Sequence, residues 1–262
     1  MKKEVLIAIP AYNEAQNIGS VLENLKALPI MDKADIVVIN DGSADNTADI
    51  CREHGVEVIS HIYNLGYGSA LKTAYKYAMR NDYEYVIQID ADGQHDVCNI
   101  ERIYDALISK MPADIVIGSR FLKESTAFKV GFAKKFVIGF FNFIIKVSTK
   151  WKITDPTSGL QGLDKKAFSF YGTYGNFVTD YPDANMVIQM LLNNFTIKDV
   201  PAVMHERLVG ESMHSGFKPI MYLFKMFISS IVVVMRAHYL GSRKKKALRK
   251  EQKVLASAGA GK

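Results

Sequence analysis

The richest chemistry in this chain sits where Tyr85-Val86-Ile87-Gln88-Ile89 runs into Asp90-Ala91-Asp92-Gly93-Gln94-His95. The first five residues are aromatic, β-branched or apolar and read as a buried strand. Gly93 marks the turn that ends it. Two carboxylates at the tip of an apolar strand need a cation to offset their desolvation. Oxygen ligands select Mg²⁺ or Mn²⁺, and a Mg²⁺ held by one or two carboxylates completes its shell with substrate phosphates. The expectation is a metal–diphosphate site at Asp90 and Asp92, with Gln94 as a further oxygen ligand. Two plainer readings compete. Asp-x-Asp-Gly is also ordinary turn chemistry. A calcium loop would take Asp90, Asp92, Gln94, Asp96 and Glu101, but it needs Gly where His95 stands and a helix where the strand lies, so it fails.

The elements that must hold this site read as alternating strands and helices. Val5–Ile9, Ile36–Ile39, Val56–Ser60, Tyr85–Ile89 and Ile115–Gly118 are strand candidates. Helical spacing appears at Ile18, Val21, Leu22, Leu25 and Leu28. A second helix reaches about His54 from a cap at Ser43 or Asp45, and a third runs from Gly68 to Arg80. This alternation predicts an α/β fold, a mostly parallel sheet with helices on both faces. Ligands of such sheets bind at the carboxyl ends of the strands. Pro10–Glu14, Asn40–Ser43, Asn64–Gly68 and Asp90–His95 all fall at that rim. Gly66-Tyr67-Gly68 can bring the first N–H groups of a helix to a phosphate, though a tight turn explains it equally.

Composition narrows the classes. With 48% hydrophobic and 23% charged residues, 262 residues suffice for one large domain with an extension. Cys51 and Cys98 are far apart and without metal-like spacing, which suits a reducing cytosol without disulfides. The N-terminal apolar run lacks the long core and cleavage site of a signal peptide and reads as a first strand. The net charge is +6, but residues 241–262 hold eight Lys or Arg and one Glu, so +6 less +7 leaves −1 on residues 1–240. That argues against a nucleic-acid-binding face on the folded body, though not against a sticky tail.

Taken in order, Ile9-Pro10-Ala11-Tyr12-Asn13-Glu14, Asn40-Asp41-Gly42-Ser43-Ala44-Asp45-Asn46-Thr47, Asn64-Leu65-Gly66-Tyr67-Gly68 and Asp90-Ala91-Asp92-Gly93-Gln94-His95 resemble the family-2 glycosyltransferases, above all the dolichyl- and polyprenyl-phosphate sugar synthases. Gly118-Ser119-Arg120-Phe121 and Asp155-Pro156-Thr157-Ser158-Gly159 extend the likeness, which covers roughly residues 4–215. The resemblance implies a GT-A fold, a UDP- or GDP-linked sugar donor and a divalent metal. It places Pro10, Tyr12, Glu14 and Asp41 at the nucleoside, and Gly68 and Ala91 with Asp90 and Asp92 along the donor. Metal and diphosphate fall to Asp90, Asp92 and Gln94, and Asp92 counts among the catalytic residues. Asn40 departs from the family's acidic pair, which leaves uridine or guanosine open.

The second half supplies the acceptor side. A lipid-phosphate acceptor is already anionic and needs cations rather than a base. Arg120 and Arg207 are the candidates, with Ser212 as a hydrogen-bond donor, because Arg offers phosphate a bidentate fork. Arg207-Leu208-Val209-Gly210-Glu211-Ser212 resembles the family's Arg…Gly-x-Ser stretch, with Met213 where Lys is usual. A saccharide acceptor would need a carboxylate base, for which Asp183 is the candidate; a helix N-cap is its plainer role. Asp155 is either an acceptor-site residue or turn-forming.

Phe136–Ile145 is apolar and too short to span a bilayer, so it is a core helix or an interfacial one. Ile220–Met235 contains Lys225 and reads as a shallow attachment. The basic run from Arg243 to Lys250 beside it fits anionic lipid on the cytoplasmic face. The expected layout is a transferase domain over 1–215, an apolar membrane-associating segment over 216–240 and a basic tail over 241–262. Transfer to a saccharide is the enzyme alternative, and a non-catalytic nucleotide-sugar or lipid-binding module the alternative of another class.

Overall fold

Strand β1, Val5–Ala11, is buried along its whole length. Its side chains still alternate, with Leu6 and Ala8 facing one apolar cluster and Val5, Ile7 and Ile9 the other. A strand buried on both faces needs parallel neighbours covered by helices, and β1 has them. It pairs in parallel with β2, Ala34–Asn40, and with β4, Tyr85–Gln88. The computed structural model describes residues 3–126, 132–180, 182–206 and 225–236.

Among the described residues the sheet has seven strands in the order β3-β2-β1-β4-β6-β5-β7, where β3 is Glu57–Ser60, β5 Ile115–Ser119, β6 Gln161–Asp164 and β7 Ile197–Pro201. Of these seven strands only β6 is antiparallel, wedged between β4 and β5. The five strands read from the sequence are present, and β6 and β7 complete the sheet. One face carries α1 (Ile18–Lys26), α2 (Thr47–Glu53) and α4 (Asn99–Leu107). The other carries α3 (Tyr67–Arg80), α5 (Phe132–Thr149), α6 (Lys165–Gly172) and α7 (Ala184–Leu192). Helix α2 begins later than a cap at Ser43 or Asp45 implies. Its N-cap residue is Asn46, while Asp45 accepts from the Thr47 N–H at 3.0 Å and the Ser43 hydroxyl accepts from the Asn13 N–H.

The apolar stretch 136–145 lies in α5 and does two things at once. Ile138, Phe141 and Ile145 point into the core, while Phe136, Phe140, Phe143 and Val147 are exposed. Residues 225–236 are also helical, with Met226, Ser230 and Val233 inward and Ile228, Ile231, Val232 and Met235 outward. The two helices meet at Phe140 and Phe227, whose rings lie 5.8 Å apart. No helix among the described residues is long and apolar enough to cross a membrane.

Candidate active site

Because β1 to β4 are parallel, the loops that follow them emerge at one rim. Antiparallel β6 starts at the same rim, where Gln161 pairs with both Gln88 and Ile117, so the Asp155–Leu160 segment arrives there too.

Hydrogen bonds between side chain and backbone stitch the rim loops together. Asn13, at a left-handed φ of 55°, accepts from the Ala44 N–H at 2.8 Å. The N–H of Glu14 donates to the Thr47 hydroxyl and that of Ala15 to Asp45. Tyr12 is exposed at the rim, whereas Pro10 is buried in β1 beyond its last β4 partner. Asn40 bridges two loops because an amide both donates and accepts: Nδ2 donates to the Ser60 hydroxyl at 3.1 Å and Oδ1 accepts from the Ser43 N–H. A carboxylate there could keep both contacts only by accepting from the Ser60 hydroxyl as well, and would bury a second charge next to Asp41.

Asp41, expected at the nucleoside, is 3% exposed and its oxygens are occupied by the chain itself. Oδ1 meets His61 Nδ1 at 2.7 Å and the Leu65 N–H at 2.9 Å, and Oδ2 accepts from the Gly66 N–H at 2.7 Å. His61 is tied in turn to the Thr73 hydroxyl. Asp41 thus fixes the loop that opens α3. Gly68, the expected donor-side glycine, cannot be replaced freely, since a Cβ there would stand 2.3 Å from the Thr179 carbonyl oxygen. This contact brings the segment before α7 against the start of α3.

Asp90 is the centre of the site. Its Oδ1 accepts from the Tyr67 hydroxyl at 2.9 Å, and its Oδ2 lies 3.7 Å from His95 Nε2. Burial raises its pKa, the Tyr67 hydrogen bond and the charge of Arg120 oppose that rise, and Glu14 adds to it. Tyr67 is itself held well above the ordinary phenol value by burial, by Asp90 and, further off, by Asp183. Glu14 and Arg120 thus bear on Asp90, and Asp183 on Tyr67. Ala91 is buried, and Asp92 accepts from the Gln94 N–H at 3.0 Å in a tight local turn. The Gln94 carbonyl accepts from the His205 N–H at 2.7 Å, and His205 also contacts Asp96.

No three His, Cys, Asp or Glu side chains converge on a metal position among the described residues. A cation here would be held by Asp90 and Asp92 and by groups of a bound diphosphate, the pattern Mg²⁺ favours. The donor chemistry fits that, since Asp90 and Asp92 offer carboxylate oxygens, and Gly159 packs so closely on Asp90 that a Cβ there would stand 2.4 Å from Oδ2.

Arg120, expected to hold acceptor phosphate, faces another partner. Nε and Nη2 form a two-point pair with Asp155 at 2.6 Å each, and Nη2 also donates to the Thr157 hydroxyl. Both side chains of the pair are buried. Asp155 is buried and also opens a turn, its carbonyl accepting from the Ser158 N–H at 3.3 Å. Asp183 occupies the N-cap position of α7 but its side chain makes no capping hydrogen bond; Asn185 takes that role, accepting from the Asp183 and Met186 N–H groups. Arg207 and Ser212 lie outside the described residues. His61, Tyr67 and Gly159 join the site without having been singled out as site residues from the sequence. Gly66-Tyr67-Gly68 was legible as a turn, but its tyrosine's reach to Asp90 is a tertiary contact.

Residues 6–172 match the family model described as glycosyl transferase family 2. The chain is a family-2 glycosyltransferase. The undecaprenyl-phosphate mannosyltransferase of Micrococcus luteus is 27% identical to it, over 81% of this chain and 88% of that one. The polyprenol monophosphomannose synthase of Mycolicibacterium smegmatis is 25% identical, over 82% of each. Among solved structures, glucosyl-3-phosphoglycerate synthase of Mycobacterium tuberculosis, in complex with Mn²⁺, UDP-glucose and phosphoglyceric acid, superposes with a TM-score of 0.66. It is 15% identical and the match covers 88% of this chain and 80% of that one. The GT-A fold expected of a family-2 enzyme is therefore present, and the relatives of this glycosyltransferase include enzymes named for polyprenyl-phosphate acceptors.

Proposed function

We propose that this glycosyltransferase moves a hexose, with inversion, from a UDP- or GDP-linked donor to a polyprenyl phosphate at the cytoplasmic face of a membrane. One observation carries the lipid acceptor: the two helices with apolar outer faces are hydrogen-bonded to the segments that hold Asp155 and Asp183. Asn142 of α5 donates to the Thr154 carbonyl, next to the Asp155–Arg120 pair. Ser229 accepts from Asn185, two residues from Asp183. An exposed apolar face joined to the reaction site suits a substrate whose phosphate must be reacted while its prenyl chain stays in lipid.

In this reading Pro10, Tyr12 and Glu14 line the nucleoside, with Asp41 acting through the loop it fixes, and Gly68 and Ala91 flank the donor. Asp90, Asp92 and Gln94 hold Mg²⁺ or Mn²⁺, which when bound neutralises charge on the departing diphosphate. A phosphate oxygen of the lipid attacks the anomeric carbon while the bond from that carbon to the diphosphate breaks and its electron pair leaves with the nucleoside diphosphate. The acceptor brings no proton to remove, so no general base is required. Arg207 and Ser212 hold the acceptor phosphate, and Arg120 contributes its charge while it anchors Asp155. The layout follows: residues 1–215 carry the reaction, 216–240 meet the membrane and 241–262 add basic charge for anionic lipid.

Asp183 favours a second reading. It lies in the segment that Thr179 packs against the start of α3, and in this reading it would take the proton of a sugar hydroxyl. One experiment separates the two. Labelled sugar is supplied from a panel of UDP- and GDP-sugars, with Mg²⁺ or Mn²⁺, to membranes containing polyprenyl phosphate, for wild type and Asp183→Asn. Butanol-extractable label that survives the substitution supports the lipid acceptor. Label found only on saccharide, and lost in Asp183→Asn, replaces it with the glycan reading. Nucleotide binding without transfer to either acceptor would indicate a non-catalytic module.

A further inference from the structure

Asp90 sits in a holder made by residues of three separate elements. From the first turn of α3, the Tyr67 hydroxyl donates to Oδ1 at 2.9 Å. From the segment before β6, Gly159 packs its Cα against the same carboxylate, so closely that a Cβ would stand 2.4 Å from Oδ2 and 2.8 Å from Oδ1. Gly159 is itself fixed. Its carbonyl accepts from Gln88 Nε2 at 2.9 Å, and Gln88 Oε1 accepts from the Tyr75 hydroxyl at 2.5 Å. Gln88 and Tyr75 are both buried. A polar chain from α3 through β4 thus fixes the glycine that packs on Asp90, whose Oδ2 also lies 3.7 Å from His95 Nε2.

We infer that Tyr67 and Gly159 are positioning residues that set the Asp90 carboxylate for a divalent cation, Tyr67 by its hydrogen bond and Gly159 by the side chain it lacks. Without them the carboxylate can rotate about its Cβ–Cγ bond and turn its oxygens elsewhere. Groups that orient a ligand in this way typically change metal affinity about 10–100-fold when removed. Tyr67→Phe keeps the ring in its packing against the apolar core and deletes only the donor. Gly159→Ala adds one methyl where the carboxylate now lies. The inference rests on the metal reading proposed above.

The test measures Mn²⁺ binding directly, by the loss of the free-ion signal in electron paramagnetic resonance, with and without UDP or GDP. Calorimetric nucleotide binding and thermal melts in EDTA are run alongside. The expected result for Tyr67→Phe is Mn²⁺ affinity weaker by roughly tenfold or more, with nucleotide affinity in EDTA and the EDTA melting temperature near wild type. The metal concentration for half-maximal turnover rises correspondingly, and kcat at saturating Mn²⁺ falls far less. Gly159→Ala is expected to weaken Mn²⁺ binding in the same direction; if it does not fold, Tyr67→Phe decides alone. Unchanged Mn²⁺ affinity in Tyr67→Phe, with or without a lower melting temperature, overturns the positioning role and leaves the proposed function standing. A wild-type protein that binds nucleotide but no Mn²⁺ would instead remove the metal reading, and the positioning role with it.

Discussion

At Asp90 the requirements of folding and of chemistry oppose each other. Burial raises its carboxyl above the ordinary aspartate value, so the folded chain binds this proton more tightly than the unfolded chain does. The sign follows from linkage: this group favours folding below the unfolded aspartate value, and that contribution is lost as pH rises through the higher folded value. At neutral pH, ionised Asp90 therefore costs stability, while only the ionised form is a metal ligand. Asp90→Asn keeps an acceptor for Tyr67 and removes the charge. It is expected to lower metal-dependent turnover at least about a hundredfold. Its melting temperature in EDTA at pH 7 should equal or exceed wild type, and the gap should narrow as pH falls. A lower melting temperature at pH 7 would show that the charge stabilises the fold. Arg120 makes the contrasting case. With its partner Asp155 fully buried, Arg120→Ala leaves an uncompensated carboxylate and should cost about 3–5 kcal/mol in urea unfolding. The paired change Arg120→Met with Asp155→Leu should recover much of that loss. If Arg120→Ala unfolds like wild type and only the acceptor KM rises, the ion pair is dispensable and Arg120 serves the substrate alone.

Elements whose own residues carry a period were legible in the sequence; those made by the tertiary fold were not. Strands β1, β2 and β4 announce themselves by continuous apolar runs, and α1 by its spacing at Ile18, Val21, Leu22 and Leu25. Strand β6, Gln161–Asp164, offers four residues with one large apolar side chain, and is a strand because β4 and β5 present unpaired edges on either side of it. Strand β7 has Lys198 and Asp199 in its middle and was equally silent. The same division runs through the site. Asp90 and Asp92 follow from their own strand, whereas Tyr67, His61 and Gly159 matter through contacts across 23, 20 and 69 positions of sequence. Asn40 shows how one residue ties elements together, since its amide joins the ends of β2 and β3 to the following loop. Asn40→Asp removes the donor to Ser60 and buries a charge, so a loss of about 1–3 kcal/mol is expected by chemical unfolding. Stability equal to wild type would mean that the amide's double role carries no weight.

Over the whole molecule, charge and apolar surface are segregated in a way the net value of +6 conceals. Residues 125–154 contain six Lys and no Asp or Glu, and residues 212–250 contain nine Lys or Arg and again no acid. These two stretches include the helices whose outer faces expose Phe136, Phe143, Val147 and Met235, each more than 60% accessible. Trp151, at the end of α5, is also exposed, with Lys150 and Lys152 on either side. Water is a poor solvent for such a surface, and an anionic lipid headgroup region satisfies both components at once. Full burial of one large aliphatic or aromatic side chain is worth about 1.5–3 kcal/mol, and each basic residue near an anionic surface about 1 kcal/mol. The two contributions respond differently to salt, because only the electrostatic one is screened. The protein is therefore expected to co-sediment with vesicles containing anionic phospholipid and to release only in part at high salt. Phe143→Ser with Val147→Ser should reduce the salt-resistant fraction at least tenfold, and removal of residues 241–262 should reduce the salt-sensitive fraction. Turnover on a short-chain, water-soluble prenyl phosphate should survive the double substitution, since both side chains are exposed on α5. Equal binding to neutral and anionic vesicles would remove the electrostatic part, and undiminished binding by the double variant would place the membrane contact on another face of the molecule.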